Sequence, residues 1–565
     1  MVDHQQTTSA KFAAMMLGIT MAAAGAMPAA ARVLPSFNAR APRPEESRPP
    51  GVPSDAELER LGARIGTIHL NGRDLFDLDH QDENTVLARA ANRLHVPTRD
   101  STIETQLLFK SGDPYRPEQL AESARILRDT RYLREARVRP VAYRDGVVDV
   151  EVTTQDVWTF NPGISFGRHG GKNTAGFELE DLNFLGLGTQ LGVGLKSGVD
   201  RDSKFIHYRD RQLGESWWDL AAGYSDNSDG RLAEFSLERP FYALDARWAA
   251  GVAFTDDQRV DSRYDLGEVV DRFETRERVT SIYWGRSRGR VGNWTRRFTF
   301  GFTYEQHEFD PVDDVVPQLL PSDRTLVYPW VAAEWVEDDF RTARNRDQIG
   351  KVEDFSLGWY ALAQLGFAGK TLGSDRDAFV FSGKLSNGLS FGERQTLFLS
   401  LGTQGRVAEG DIADGLLGAS ARYYFRQSPR RVLYLGASAE AGQNLDVDHQ
   451  LLLGGDNGLR GYPLRYQAGE GRWLITAEQR FFTDWYPFQL FNVGAAVFAD
   501  VGATFGRDPL GAPSQGVLKD VGFGLRLGNN RSALGNVLHF DVAFPLDGDS
   551  SIRNVQFLIE TKKSF

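Results

Sequence analysis

The segment RFTFGFTYEQ, Arg297–Gln306, decides how this chain folds. Successive residues of a β-strand point to opposite faces, so Phe298, Phe300, Phe302 and Tyr304 share one face while Thr299, Gly301, Thr303 and Glu305 share the other. The pattern recurs along the chain. Val497, Ala499, Val501, Ala503 and Phe505 oppose Phe498, Asp500, Gly502 and Thr504, and Val521, Phe523, Leu525 and Leu527 oppose Asp520, Gly522, Gly524 and Arg526. Leu191, Val193 and Leu195 oppose Gln190, Gly192, Gly194 and Lys196. A soluble sandwich has the same period, with a charged outer face and strands of about five or six residues. Here many segments reach the roughly 9 to 11 residues that a tilted strand needs to cross a bilayer, and the polar faces carry Gly, Ser and isolated charges suited to a wet lumen. The reading is a mainly β protein, a transmembrane antiparallel β-barrel of 16 or more strands.

Composition agrees with this. Of 565 residues, 41% are hydrophobic and 25% charged, and the mean hydropathy of -0.38 is what a barrel gives when half of each strand faces water. The 58 Gly and 36 Phe favour strands and turns, and all 11 Trp fall between Trp158 and Trp485. The chain has no Cys, which excludes disulfides, thiolate metal sites and cysteine nucleophiles. A net charge of -11 without a basic stripe gives no nucleic-acid partner.

Barrel strands, about sixteen to twenty of them by alternation, occupy residues 156–565. Polar stretches such as Asp256–Arg272 and Phe309–Arg324 read as long outer loops, and Val555, Phe557, Ile559 and Thr561 alternate toward a terminal Phe565. An even number of strands puts both strand starts on one side and the N-terminal module in the periplasm. Residues 1–31 read as a signal peptide: Lys11, an apolar run from Phe12 to Ala26, and cleavage after Ala31. Residues 32–58 form a proline-rich linker. Residues 59–155 are a small α+β module. Within it Ile65–Leu70 reads as a strand ending at the turn pair Asn71-Gly72, and Asp82 or Asn84 as the cap of a helix through Leu94, with Val86, Leu87, Ala90 and Ala91 on one side. Pro117 opens a second helix carrying Leu120, Ala124 and Leu127, and strands near Leu133–Tyr143 and Val147–Thr153 join at Arg144-Asp145-Gly146.

Two motifs sharpen the reading. The run Gly454-Gly455-Asp456-Asn457-Gly458-Leu459-Arg460-Gly461-Tyr462, with Phe498-Ala499-Asp500-Val501-Gly502 after one strand, resembles the paired signature of the BamA, TamA and two-partner-secretion translocator superfamily of outer-membrane barrels. The module is similar to a single POTRA domain, through Phe109–Tyr115, the helix ending at Leu127, Tyr132-Leu133 and the valine strand near Val150. Asp181–Thr189 resembles the first inner turn of that family, and Phe565 its terminal strand signal.

The resemblance implies that Arg460 sits at the tip of an outer loop folded back into the lumen, with Asp500 its partner on a face shared by Phe498 and Gly502. Gly461 would permit a sharp turn, and Tyr462 would pack against the wall. Physics allows this, because a guanidinium fork pairs bidentately with a carboxylate. The alternative is that Arg460 solvates a loop and Asp500 is an ordinary lumen charge. The resemblance further implies an insertase or translocase that acts without covalent chemistry. Its partners would be unfolded outer-membrane or secreted client proteins, the lipid bilayer, and periplasmic chaperones or accessory lipoproteins. Clients would be handled by the module and by a seam near Val157–Phe166 and Val555–Phe565. One POTRA instead of several argues against the central assembly role.

Two other classes are weighed. A passive porin shares the alternation but needs neither module nor loop. An outer-membrane enzyme finds little support: Gly163-Ile164-Ser165-Phe166-Gly167 fits the G-x-S-x-G string without the helix a nucleophile elbow requires. The nine His are scattered, Asp446 and Asp448 read as solvated loop residues, and no catalytic, cofactor-binding or metal residue is assigned.

Overall fold

Alternation resolves into a wall. In the computed structural model, which describes residues 48–562 except 82, 313–315, 509, 512, 513, 534–536, 549 and 551, twenty antiparallel strands pair in chain order. The last, Gln556–Lys562, returns beside the first, Phe160–His169, to close a barrel. Its outside is apolar. Phe298, Phe300 and Phe302 are 41–52% exposed, while Thr303 and Glu305 on the opposite face are buried. Phe177, Leu195, Ile206, Ile282, Val331, Leu401, Ile475, Val497, Phe523 and Phe557 extend the exposed belt. An apolar outside around a polar inside inverts the soluble pattern and is what a bilayer selects. No described helix is long and apolar enough to cross a membrane, so strands do the crossing. The signal-peptide reading and Phe565 lie outside the described residues, as does most of the proline-rich stretch.

The module has four helices and a three-stranded sheet. In chain order these are α1 (Asp55–Arg60), β1 (Arg64–Arg73), α2 (Val86–Leu94), α3 (Asp100–Glu104), α4 (Pro117–Asp129), β2 (Leu133–Arg144) and β3 (Val147–Asp156). The sheet order is β1-β3-β2, with β1 parallel and β2 antiparallel to β3. Val148, Val150 and Val152 pack under α4 with Leu120 and Leu127 into one core. The β2–β3 turn uses left-handed Asp145 and Gly146. Three expectations are corrected. Asn71-Gly72 lies inside β1, because parallel pairing with Thr153 and Thr154 carries the strand on to Arg73. The α2 cap is Thr85, whose hydroxyl accepts from Ala88 N at 3.1 Å, with Asn84 outside the helix and Asp82 outside the described residues. Ala91, expected on one side of α2 with Val86, Leu87 and Ala90, packs inward with Ala88 while those three are exposed.

Odd-numbered barrel strands run away from the module and even-numbered ones return, which distinguishes the rim beside the module, here termed inner, from the far rim, here termed outer. Asp256–Arg272 is no loop. The strands Trp248–Asp265 and Glu268–Val291 remain paired through it to a turn at Leu266-Gly267. Composition misled because strand beyond the bilayer is wet on both faces and pairs its charges across the ladder. Arg276 is forked onto Asp256 (3.1 and 3.0 Å), and Arg259 meets Asp257, Asp261 and Glu277.

The module docks on the inner rim through polar contacts that are buried or partly buried. Arg128 of α4 forks onto Asp354 (2.6 and 2.6 Å), Arg344 reaches Glu135 (2.9 Å), and Arg531 reaches Glu83 (2.7 Å). Asn183 Nδ2 of the second barrel strand donates to Thr98 Oγ1 at 2.8 Å, and Thr98 is held within the module by Asp156, which accepts from its backbone N at 2.8 Å. Leu244 N donates to Glu122 at 2.8 Å, and burial pushes that carboxyl above its ordinary pKa against the pull of Arg125.

Leu127→Ala should cost the module about 2–5 kcal/mol, the usual penalty for an unfilled core site. Hydrogen exchange at the Val148, Val150 and Val152 amides of the full chain would accelerate accordingly, while the barrel keeps its heat-modifiable mobility on gels.

Candidate functional site in the barrel lumen

The interior is filled from both ends. From the outer rim comes the connection between the strands Arg431–Gln443 and Gly471–Phe482, which folds inward and is tied by a short ladder, Leu451–Leu453 with Gln467–Gly469. Leu459 and Tyr462, both fully buried, pack there with Leu453, Tyr466 and Leu518. The turn is built at Gly458, which has φ +134. Gly461 has another role than the expected sharp turn: a Cβ there would lie 2.6 Å from Asp520 Cβ and 3.0 Å from Pro545 N, so close approach to the wall selects glycine. Gly454 N takes the Asn457 side chain (2.7 Å), and Gly455 N donates to Pro463 O (2.8 Å).

Arg460 and Asp500 meet. The guanidinium donates through Nε to Asp500 Oδ2 at 2.7 Å and through Nη2 to Oδ1 at 3.0 Å, and it lies 3.3 Å above the Phe498 ring centre. Asp500 is fully buried. Gly461 N donates to Asp520 (3.0 Å), and the Tyr462 hydroxyl lies 2.8 Å from Lys519 O and 3.1 Å from Asp547 O. Gly502 faces Leu453 of the folded loop.

Sequence reasoning missed the rest of the cluster. Glu478 accepts from Arg460 (3.4 Å), Arg526 (3.2 Å) and Arg480 (3.1 Å), and Asp541 pairs with Arg526. Their positions on the polar faces of alternating strands were the available signal. In a lumen of low effective dielectric these charges are held only because each faces an opposite one.

The second filler enters from the module side. Between the strands Arg324–Glu337 and Tyr360–Ala368, a hairpin of Phe340–Arg344 and Val352–Ser356 bends into the lumen. The Arg346 guanidinium, 1% exposed, sits among the rings of Tyr424 (4.2 Å), Phe398 (4.8 Å) and Phe355 (5.2 Å). Its three nitrogens make no hydrogen bond among the described residues, and cation–π attraction and packing hold it there. Arg480 donates to Arg346 O at 2.8 Å. Glu478 and Arg480, two residues apart on one strand, therefore join the outer loop to the inner hairpin, and Asp354 joins the hairpin to the module.

Other candidates resolve differently. Asp446 and Asp448 are ion-paired, to Arg406 (2.7 Å) and Arg324 (2.7 Å). Ser165 lies in the first barrel strand, followed by a turn and a second strand instead of a helix. The described residues bring together one group able to ligate a metal, Glu178, Glu180 and His207, with Glu180 and His207 3.3 Å apart and paired with each other.

Fold and lumen define the class: an outer-membrane-type β-barrel with a docked α+β module and an inward-folded loop. No family model and no curated protein sequence matches the chain. Solved structures similar to it include CdiB from Acinetobacter baumannii, at 14% identity over 88% of this chain and 74% of that one, TM-score 0.44. CdiB from Escherichia coli is similar at 15% identity over 89% and 77%, TM-score 0.47. BamA from Haemophilus ducreyi lacking POTRA domains 1–3 is similar at 14% identity over 88% and 84%, TM-score 0.39.

Arg460→Ala strands the buried Asp500 carboxylate, while Glu478 keeps Arg480 and Arg526 and Asp541 keeps Arg526, and should destabilise the folded loop by about 3–5 kcal/mol. Faster hydrogen exchange across 454–465, partly reversed by adding Asp500→Ala, is the expected record. Asp339 O already accepts from Leu357 N at 2.8 Å, so a short linker can replace residues 340–356. Single-channel conductance in planar bilayers should then rise; unchanged conductance would show that the hairpin is not what closes the inner side.

Proposed function

We propose that the chain is an outer-membrane insertase or translocase of the BamA, TamA and two-partner-secretion kind, with the module in the periplasm and unfolded outer-membrane or secreted proteins as clients. The observation that carries this reading is the closure of the barrel. Among the described residues the first and last strands share one registered pair, Arg168 with Ile559. Every other neighbouring pair in the wall is registered along seven residues or more, as at Val537–Ala543 with Gln556–Lys562. A weakly paired seam leaves strand edges for which an incoming client strand is the natural partner, since unpaired backbone is costly in lipid. The edges of β1 and β2 offer extended clients the same backbone pairing on the module. Gly170, in the turn that ends the first strand, abuts Gly455 and Leu464 of the inward loop, so the Arg460 site lies beside the seam. Periplasmic chaperones or accessory lipoproteins would deliver clients to the module. A passive porin needs an open lumen, whereas here one filler enters from each rim.

The wild-type chain contains no Cys, so Arg168→Cys with Ile559→Cys can be oxidised cleanly across the seam. Locking should stop client assembly, and reduction should restore it. Depletion followed by proteomics of the outer membrane and the secreted fraction identifies the clients. Unchanged composition in both fractions, with activity untouched by the locked seam, would rule the reading out.

A further inference from the structure

The helix α2 is inside out. Its small and polar side is held: Ala88 is buried with Leu75 and Phe76, Ala91, Trp158 and Leu490 pack against that cluster, and Asn92 exchanges hydrogen bonds with Phe76 N (3.0 Å) and Phe76 O (2.9 Å). The opposite stripe is apolar and open, with Val86 77%, Leu87 59% and Leu94 72% exposed and Ala90 between them. At 3.6 residues per turn these four fall within about a third of the circumference. Exposed Arg89 and Arg93 flank the stripe on one side. Of the residues in this cluster, Leu75 and Phe76 belong to the module, and Trp158 and Leu490 to the barrel rim. Leu490 ends the connection between the strands Gly471–Phe482 and Phe491–Phe505, which carry Ile475 and Val497 in the apolar belt. That connection exposes Trp485 at 65% and Phe488 at 80%, Phe488 in the left-handed region at φ 58. Trp158 stands two residues before Phe160, where the belt begins on the first strand.

We infer that α2, with Trp485 and Phe488, lies in the headgroup layer of the inner leaflet and binds anionic phospholipid. The apolar stripe continues the belt past the end of the wall, Trp is suited to the interface, and Arg89 and Arg93 face the phosphates. The chemistry is that of an interfacial amphipathic helix, with its apolar side meeting the acyl boundary about 5–10 Å below the headgroups. The inference rests on the barrel spanning a bilayer and is independent of what the protein transports. It makes the module a membrane-surface domain as well as a barrel-docked one, held at a fixed height below the seam.

Single cysteines decide the matter in a chain that has none of its own. Leu87→Cys and Leu94→Cys would carry bimane labels in full-length protein reconstituted into phosphatidylethanolamine–phosphatidylglycerol vesicles. Arg144→Cys, at the end of the module sheet farthest from the barrel, serves as the aqueous control. Nitroxide lipids labelled at the headgroup and at acyl carbon 5 should quench the Leu87 and Leu94 labels about twofold or more and leave the Arg144 label bright. Arg89→Glu with Arg93→Glu should reduce that quenching. Labels on α2 that quench no more than the Arg144 control would overturn the proposal. So would labels shielded only when an unfolded outer-membrane polypeptide is added, which would make the stripe a protein-docking surface. Heat-modifiable mobility of each variant reports that the barrel is folded.

Discussion

In the apolar slab of a bilayer no backbone N–H or C=O finds water, so a strand there must be paired on both edges. That constraint fixes the architecture of this chain. It forces the sheet to close, and closure at twenty strands encloses a lumen wider than wall side chains alone can fill. Material must then be drawn in, and the chain draws it from both rims: the Leu451–Gly469 segment from outside and the Phe340–Ser356 hairpin from the module side. Elements that look like embellishments of the barrel are consequences of its girth.

Drawing chain into a narrow interior brings charge with it. The lumen answers with arginines that each satisfy a specific environment. Arg460 is forked onto a carboxylate above a ring, Arg526 lies between Asp541 and Glu478, and Arg346 is enclosed by three aromatic faces. Glu478 is the common acceptor. Because Arg480, beside it, also holds the backbone of Arg346, the two fillers share one strand as their support. A displacement of either loop therefore alters the electrostatic surroundings of the other.

Much of this was legible from residues alone. Two-residue alternation identified the wall and sorted Phe298 from Thr299, and the resemblance carried by the Gly454–Tyr462 run implied that Arg460 meets Asp500, as it does. Other features were hidden for physical reasons. The inward hairpin has its partners far away in sequence, Asp354 finding Arg128 across 226 positions, so no local pattern announces it. The charged stretch Asp256–Arg272 has loop composition because a strand standing in water on both faces needs no apolar residues. The α2 helix shows the limit of periodicity, which gives the axis of an amphipathic stripe but not whether it turns toward protein or toward lipid. Strand number was legible only as a range of about sixteen to twenty, because alternation is a weak signal in any single strand, and the wall closes at twenty.

The wall is also unequal in height. The strand Glu268–Val291 has 24 residues and the closing strand Gln556–Lys562 only seven. At about 3.4 Å per residue and a tilt near 45°, the longer one rises about 58 Å, roughly twice the ~25 Å apolar band, while the seven described residues of the shorter rise only about 17 Å. The outer rim is thus a parapet on one flank and a sill on the other. The barrel consequently has a compass direction in the plane of the membrane, set by strand length alone.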